Sequence, residues 1–376
     1  MKIAVNTRVL LKNELEGVGW YIHEVVRRMV LAHPEDEFIF FFDRPFNAEF
    51  IFAKNVTPVV LFPHARHPFL WYWWFEWSVA KALKKYQPDV FFSTDNWLSL
   101  RANTPTLLAV HDVAFVHFVD NVPFIVKKYY AYFSPKYLER ADKIATVSEF
   151  VKDDIIKNFP NINKNKISVA HNGCREIFKP ISEIEKNAVK AQYTEGSDFF
   201  FFIGAVHPRK NVHRLIAAFD LFKETTNSGL KLVICGRFAW QTGEVKRAFE
   251  QAIFKKDIIF TGYVLDSEVP KLTASAFAVT YISAFEGFGI PLLEAMNCDI
   301  PIITSNVSSM PEVAGDAAIL VNPEDINDIS RAMEQIFFYK NVRQKLIENG
   351  RIQRQKFDWD KTASLLYAQL KSLASA

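Results

Sequence analysis

Cysteine is nearly missing from this chain of 376 residues: Cys174, Cys235 and Cys298 stand far apart and are odd in number. They form neither a CxxC motif nor a disulfide framework, which excludes a disulfide-stapled scaffold and fits a reducing compartment. Glycine is scarce, with 13 residues, so the few that cluster beside apolar runs draw the eye. No charge-free apolar stretch reaches the ~18 residues that a membrane span needs. The first eight residues lack the continuous apolar core of a signal peptide. A cytoplasmic protein is expected, peripheral at most on the inner face of a membrane. The net charge of +3 is too small to argue for nucleic acid. Low-complexity tracts and short repeats are missing, and no Cys/His spacing suits zinc. The full dinucleotide fingerprint, GxGxxG with an acidic residue after the next strand, is missing as well. What remains is an ordinary globular composition in a chain long enough for two cores.

Along that chain, apolar runs alternate with amphipathic helical stretches, the pattern of βα units and parallel sheets. Strands are expected at Ile3–Val5, Glu37–Phe42, Pro58–Phe62, Val90–Phe92, Thr106–Val110, Lys143–Val147 and Ile167–Ala170. The second half repeats the pattern at Phe199–Ile203, Leu230–Cys235, Ile258–Phe260, Phe277–Ile282, Pro301–Ile303 and Ala318–Val321. Helices are expected near Val18–Leu31, Trp71–Lys85, Pro123–Arg140 and Glu149–Lys157, with more between and after the later strands. His171-Asn172-Gly173, Lys179-Pro180 and the polar Tyr193–Asp198 put a domain boundary within 171–197. Two doubly wound domains would then face each other across a cleft. Ligands of such folds bind beyond the carboxyl ends of the strands, so the loops after strands are where chemistry is sought.

The richest of these loops is Phe285-Glu286-Gly287-Phe288-Gly289-Ile290-Pro291-Leu292-Leu293-Glu294-Ala295, which follows the Phe277–Ile282 strand. Its glycines permit close approach of a ligand to the backbone. Pro291 suits the start of a helix, whose free N–H groups attract an anion. Glu286 precedes that helix and Glu294 is read into its first turn; carboxylates there can accept sugar hydroxyls. Gly204-Ala205-Val206-His207-Pro208-Arg209-Lys210-Asn211 follows another strand and offers Arg209 and Lys210 to a diphosphate, one as a fork and one as a point charge. After the first strand, Gly17-Val18-Gly19 is either a plain turn or a diphosphate-facing loop. His111 opens the loop after Val110, where a near-neutral imidazole suits a sugar hydroxyl or a structural hydrogen bond equally.

Two acidic pairs are decoys. Asp358-Trp359-Asp360 resembles a DxD metal site but opens the last helix, where an Asp cap is expected. Asp153-Asp154 is read into the first turn of a helix, where acidic residues favour the dipole. Neither a metal nor another cofactor is expected. His67-Pro68-Phe69-Leu70-Trp71-Tyr72-Trp73-Trp74-Phe75-Glu76-Trp77 holds too many rings for one buried face, and Lys81, Lys84 and Lys85 follow. Peripheral membrane contact through residues 67–85 is the functional reading, and packing on the sheet the structural one.

In this order the loops resemble the retaining glycosyltransferases of family four, which have the GT-B fold. Glu286 and Glu294 match the E-x7-E motif of that family, and Gly204 with Arg209-Lys210-Asn211 its G…RKN loop. Ala141–Phe150 resembles its ADKI.TVSEF segment, Asn172-Gly173 its NG, Gly262-Tyr263-Val264 its GYV, and Phe357–Thr362 its F.W.KTA. The chain departs from the pattern at Glu16, where many relatives carry glycine, and at Trp20, where a smaller or basic residue is common.

The resemblance implies an acceptor domain over 1–178, a nucleotide-sugar donor domain over 179–356, and a helix over 357–376 that returns to the first domain. It implies that Arg209 and Lys210 bind the donor diphosphate, and that Glu294 holds the ribose while Tyr263 and Val264 border the base. Glu286 with the amides of Gly287, Phe288 and Gly289 would hold the donor sugar, His111 would touch it, and Gly19 and Gly204 would approach phosphate. The implied reaction is metal-independent, retaining transfer of a hexose-type sugar from a GDP- or UDP-linked donor to a glycan or lipid-linked glycan. A sugar-nucleotide epimerase and a non-catalytic sugar-nucleotide-binding protein are the rivals that share this architecture.

Overall fold

The computed structural model describes residues 1–65, 67–118, 124–238 and 242–375. The chain divides into two compact units, Met1–Asn172 with Asp358–Ala376, and Gly173–Phe357.

The first unit is built on a sheet of seven parallel strands: β1 (Lys2–Asn6), β2 (Glu37–Phe42), β3 (Val56–Val60), β4 (Val90–Ser93), β5 (Thr106–Val110), β6 (Lys143–Thr146) and β7 (Ile167–Val169). Their spatial order is β3-β2-β1-β4-β5-β6-β7. The second unit has six parallel strands: β8 (Phe199–Ile203), β9 (Lys231–Cys235), β10 (Ile258–Gly262), β11 (Ala278–Tyr281), β12 (Ile302–Ser305) and β13 (Ala318–Val321). Their order is β10-β9-β8-β11-β12-β13. All the expected strands are present; β3 begins at Val56 rather than Pro58.

Sequence explains this directly. β2 reads Glu-Phe-Ile-Phe-Phe-Phe and β8 reads Phe-Phe-Phe-Phe-Ile, unbroken apolar runs that suit strands covered on both faces. Phe199 through Phe202 are all fully buried. In each sheet the strand order reverses once, between β1 and β4 in the first and between β8 and β11 in the second. Ligands of doubly wound sheets gather at such reversals. The loop after β8 carries Arg209 and Lys210, and the loop after β11 carries Glu286, so two of the sequence-flagged loops stand side by side.

The last helix, Trp359–Ala374, packs against Gly17–Ala32 within the first unit. Asp358 caps it by accepting from the Asp360 amide at 2.7 Å, and Arg28 pairs with Asp360 at 2.6 Å. The DxD-like pair is therefore a helix cap and an ion pair.

Three local expectations need correction. The aromatic stretch is not one regular helix: Pro68–Trp73 runs into a π-helical turn, Trp74–Val79, and then into Ala80–Tyr86. Glu294 is not in a first turn, because its helix, Ile290–Asn297, starts at Ile290 and has no acidic residue in the first turn. Asp154 likewise sits well inside Glu149–Asn158, where it is buried and accepts from His117 Nε2 at 2.8 Å. Its burial follows from that pairing rather than from the helix dipole. The expected helix start at Pro123 lies outside the described residues; the described helix is Phe124–Arg140.

Candidate functional site

The second unit gathers its charge at the reversal between β8 and β11. After β8 the chain passes Gly204 and makes a 3₁₀ turn, Pro208–Lys210, which His207 caps by accepting from the Arg209 amide. Asn211 ends the turn in the left-handed region, φ 58°, and its side-chain amide donates to the Pro323 carbonyl at 2.6 Å. The turn thus aims Arg209 and Lys210 at the neighbouring loop. Arg209 Nη1 donates to Glu286 Oε2 at 2.8 Å and to the Phe285 carbonyl at 2.7 Å. Lys210 Nζ donates to Glu286 Oε1 at 2.6 Å and to the Tyr281 hydroxyl. Tyr281 in turn donates to Glu286 Oε1 at 3.1 Å. Two cations and a phenol therefore converge on one carboxylate.

Burial alone would push the Glu286 carboxyl upward, but the charges of Arg209 and Lys210 overcome it and hold the group at about 2. Glu286 is anionic at neutral pH. His207, half-buried beside the same cations, is pushed below its ordinary value by burial and by their charge. The loop bearing Glu286 is pinned by two serines that the sequence reading did not single out. Ser309 Oγ lies 2.9 and 3.0 Å from the carbonyls of Glu286 and Phe288 and shares its one proton between them, and Ser308 Oγ accepts from the Glu286 amide at 3.2 Å. Phe288 is buried with its ring edge-on to Phe357 at 5.6 Å. Gly289 has φ 96°, a left-handed conformation that any side chain would strain.

Backbone crowding marks the strand ends on the other side of this loop pair. Gly204, Gly236 and Gly262 end β8, β9 and β10 with φ of 143°, 145° and 68°. The Gly204 amide donates to the Cys235 carbonyl and the Gly236 amide to the Gly262 carbonyl, each at 2.9 Å. A Cβ on Gly236 would lie 2.0 Å from the Gly204 carbonyl oxygen. Gly236 escaped sequence reading because a single glycine after an apolar run looks like any strand terminator. Tyr263 and Val264 follow Gly262, with Tyr263 exposed and Val264 half-buried.

Glu294 makes a second, smaller cluster. It is buried and pairs with Arg175 Nη2 at 3.4 Å. Burial raises its pKa, which the Arg175 charge opposes and the nearby Asp266 charge reinforces. Asp266 belongs to the loop that begins at Tyr263, so Glu294 and that loop are neighbours. Arg175 was not foreseen; it lies beyond the Asn172-Gly173 turn, in a stretch read only as a boundary.

His111 and Gly19 belong to the first unit. His111 Nε2 lies 2.8 Å from the Thr94 carbonyl, which can only accept, so that nitrogen carries the proton and Nδ1 is the acceptor. Burial pushes the imidazole below its ordinary pKa and keeps it neutral. Asn96 fixes the loop by accepting from the His111 amide at 2.8 Å. Tyr21 packs edge-on against His111 at 4.6 Å and sits two residues after Gly19 on the same helix, Gly17–Ala32. Gly19 is closely packed: a Cβ would meet Leu15 Cδ2 at 2.9 Å and the Val9 carbonyl at 3.2 Å. Gly17 faces open space.

One His/acid group that sequence reading passed over, His33, Glu35 and Asp36, holds its ligand atoms within 4.8 Å of one another. Asp36 is already engaged there, by the N-terminal ammonium at 2.7 Å and by the Tyr367 hydroxyl at 2.6 Å. Among the described residues, no helix is long and apolar enough to cross a membrane.

Comparison with known proteins adds two family matches. Residues 183–353 match the model described as Glycosyl transferases group 1, and residues 15–175 the one described as Glycosyltransferase Family 4. The O-antigen chain mannosyltransferase B of Escherichia coli is 28% identical over 96% of this chain and 97% of its own length. The O-antigen chain mannosyltransferase RfbU of Salmonella typhimurium is 28% identical over 72% of this chain and 71% of its own. Among solved structures, a sucrose-phosphate synthase from Thermosynechococcus elongatus has TM-score 0.79 at 17% identity, covering 99% of both chains. Anabaena HepE in complex with UDP-glucose has TM-score 0.78 at 16% identity, covering 99% of this chain and 100% of its own. At such identities these two speak to the fold, which is GT-B.

Proposed function

Because the chain is a glycosyltransferase of the GT-B type, we propose that it transfers a hexose-type sugar, with retention, from a nucleotide-diphosphate donor to a hydroxyl of a glycan or lipid-linked glycan. The observation that carries this reading is the convergence of Arg209 and Lys210 on the buried Glu286 at the β8/β11 reversal. Two cations held together on one carboxylate are the charge pair that a diphosphate can take over. The second unit is the donor domain on this reading, and the first the acceptor domain.

Arg209 and Lys210 then hold the diphosphate and neutralise it as it leaves, which supplies fixed charge without a metal ion. Glu286, relieved of its cations, accepts hydroxyls of the donor sugar beside the amides of Gly287, Phe288 and Gly289. Glu294 holds the ribose, Tyr263 and Val264 border the base, and Gly204 gives phosphate close approach. Within the first unit, His111 presents Nδ1 as an acceptor suited to a sugar hydroxyl, and Gly19 lies in a helix turn suited to phosphate. The C1–phosphate bond breaks and the C1–acceptor bond forms on the same face, with the acceptor proton passing to the departing phosphate. Mannose is the first sugar to try, since two relatives that match most of this chain are mannosyltransferases by name.

A thermal-shift panel of GDP, UDP and their sugars, followed by acceptor screening with product analysis, tests the reading. Stabilisation by one nucleotide series and transfer to an acceptor support it. Conversion of the donor without acceptor would mean an epimerase, and binding without even slow donor hydrolysis a pure binder. Transfer persists in EDTA on this reading; loss restored by Mg²⁺ or Mn²⁺ would refute the metal-free route.

Membrane contact through residues 67–85 is proposed from the exposed stripe Phe69, Leu70, Trp73, Trp77, Lys81, Lys84 and Lys85. The neighbouring Trp74 and Phe75 are fully buried, so packing and exposure divide the aromatic stretch. The π-turn, with its wider repeat, keeps Trp73 and Trp77 stacked at 5.9 Å on one side. Rings followed by lysines suit the boundary of an anionic bilayer. Flotation with anionic liposomes checks it: no association, or association unchanged by Trp73→Ala with Trp77→Ala, would remove it.

A further inference from the structure

We infer that Tyr281 is a positioning residue for the transfer, holding Lys210 and Glu286 in register while the donor exchanges their partners; this rests on the function proposed above. Tyr281 departs from its surroundings in chemistry. It is the last residue of β11, 2% exposed, in a strand whose other members, Ala278, Val279 and Thr280, are small or aliphatic. Its ring lies nearly parallel to Phe202 of the adjacent β8, at 6.0 Å and 19°. Its backbone carbonyl accepts from Thr304 Oγ1 of β12 at 2.8 Å. The phenol is therefore fixed from both neighbouring strands, whereas Lys210 and Glu286 both stand on loops.

The hydroxyl uses both of its capacities. It donates to Glu286 Oε1 at 3.1 Å and accepts from Lys210 Nζ, whose ammonium lies 4.9 Å from the ring centroid. Glu286 Oε1 thus receives two donors, Lys210 at 2.6 Å and Tyr281. A diphosphate that attracts Lys210 competes for the first of these donors. The second is anchored in the sheet and has no anionic ligand to follow. Tyr281 keeps one strong hydrogen bond on the carboxylate as Glu286 turns from its internal cations to the sugar. It also gives the lysine an oxygen to pivot on. Neither role makes Tyr281 a contact of the substrate; it acts through the two residues that are.

The test is Tyr281→Phe, which keeps the ring on Phe202 and removes the hydroxyl alone. The kcat for transfer is expected to fall about tenfold to a hundredfold, the range for a hydrogen bond to a charged group. The donor KM and the Kd for the nucleoside diphosphate are expected to stay within about threefold, because Arg209 and Lys210 both remain; a purely structural role would move these together with kcat. An unchanged kcat, or a parallel loss of kcat and diphosphate affinity, would overturn the inference. A wild-type protein inert towards every nucleotide sugar would overturn the transferase reading instead. A second measurement is independent of activity: Tyr281→Phe and Lys210→Met, singly and together, in urea unfolding of the unliganded protein. Non-additive losses support the tie between the two side chains, and additive losses overturn it.

Discussion

Glu286→Gln separates the proposed role of this carboxylate from a merely structural one, because stability and ligand affinity should move in opposite directions. In the unliganded protein Glu286 is the internal counter-ion of Arg209 and Lys210. Its carboxyl is held near 2 against an ordinary 4.5. That displacement corresponds to about 3 kcal/mol of preference for the charged form. Glutamine keeps the shape and one acceptor oxygen but surrenders the charge, and both cations retain some access to water. A loss of roughly 1–3 kcal/mol in urea unfolding is therefore expected. The same preference opposes the diphosphate, which must draw both cations away from Glu286. Removing the competitor should tighten binding of the preferred nucleoside diphosphate by about fivefold to twentyfold, a gain of ~1–2 kcal/mol. Transfer itself should fall by ~10² or more, since the sugar loses its carboxylate partner. Isothermal titration of UDP and GDP, beside urea curves for both proteins, reads all of this. Diphosphate affinity that is unchanged or weaker in folded Glu286→Gln would refute the assignment of Arg209 and Lys210 to the diphosphate.

Three further outcomes follow from the same geometry. Lys210→Ala should lower turnover by ~10²–10³, the scale for one preorganised charge-stabilising group, in steady-state assays with the preferred donor; near-normal transfer would count against its role. Because the folded pKa of Glu286 lies below its unfolded value, its stabilisation is present above about 4.5 and disappears as pH falls towards 2. Stability curves of wild type and Glu286→Gln should therefore converge as pH drops from 5 to 3, and parallel curves would refute the charge pairing. Gly236→Ala should cost about 3 kcal/mol or more in urea midpoint, since its Cβ would meet the Gly204 carbonyl at 2.0 Å and its φ is 145°; a loss below ~1 kcal/mol would show that this close approach relaxes easily.

Much of the fold is legible because buried parallel strands write themselves as unbroken apolar runs. Phe199–Ile203 and Glu37–Phe42 have the bounds read from sequence, while Pro58–Phe62 slid because a proline within the run obscured its start at Val56. The site was legible where chemistry repeats locally: Glu286, Arg209 and Lys210 stand on loops rich in charge and glycine, and the fold brings them into contact. Tyr281 was invisible for the opposite reason. Within Phe277–Ile282 a tyrosine reads as one more strand-forming ring, and only the pairing of β8 with β11 reveals what its hydroxyl reaches. Ser308 and Ser309 were hidden likewise, since serines before a short helix look like caps. Instead they bond back to Glu286 and Phe288. Glu294 was misplaced by reading Pro291 as the first helical residue; Gly289, at φ 96°, turns the chain so that the helix begins at Ile290.

The two sheets also differ in how charge is balanced at the point where their strand order reverses. At the β1/β4 reversal, Arg8 pairs with Asp95 at 2.6 Å, and Asn6 donates to the same carboxylate at 2.6 Å. Arg8 lies 4.5 Å over the Trp97 ring, and both members of the pair are largely removed from water. One cation meets one carboxylate, with an amide and an aromatic face filling the remaining contacts. That cluster is neutral and closed, so an incoming anion would have to break a buried pair, at a cost of several kcal/mol. At the β8/β11 reversal two cations share one carboxylate, and a phenol supplies the additional oxygen. An anion arriving there can draw the two cations away from Glu286, whose Oε1 still accepts from the Tyr281 hydroxyl. Equivalent positions on similar sheets therefore differ in what they invite. This difference in charge accords with the proposal that the second unit holds the diphosphate and the first a hydroxyl-bearing acceptor.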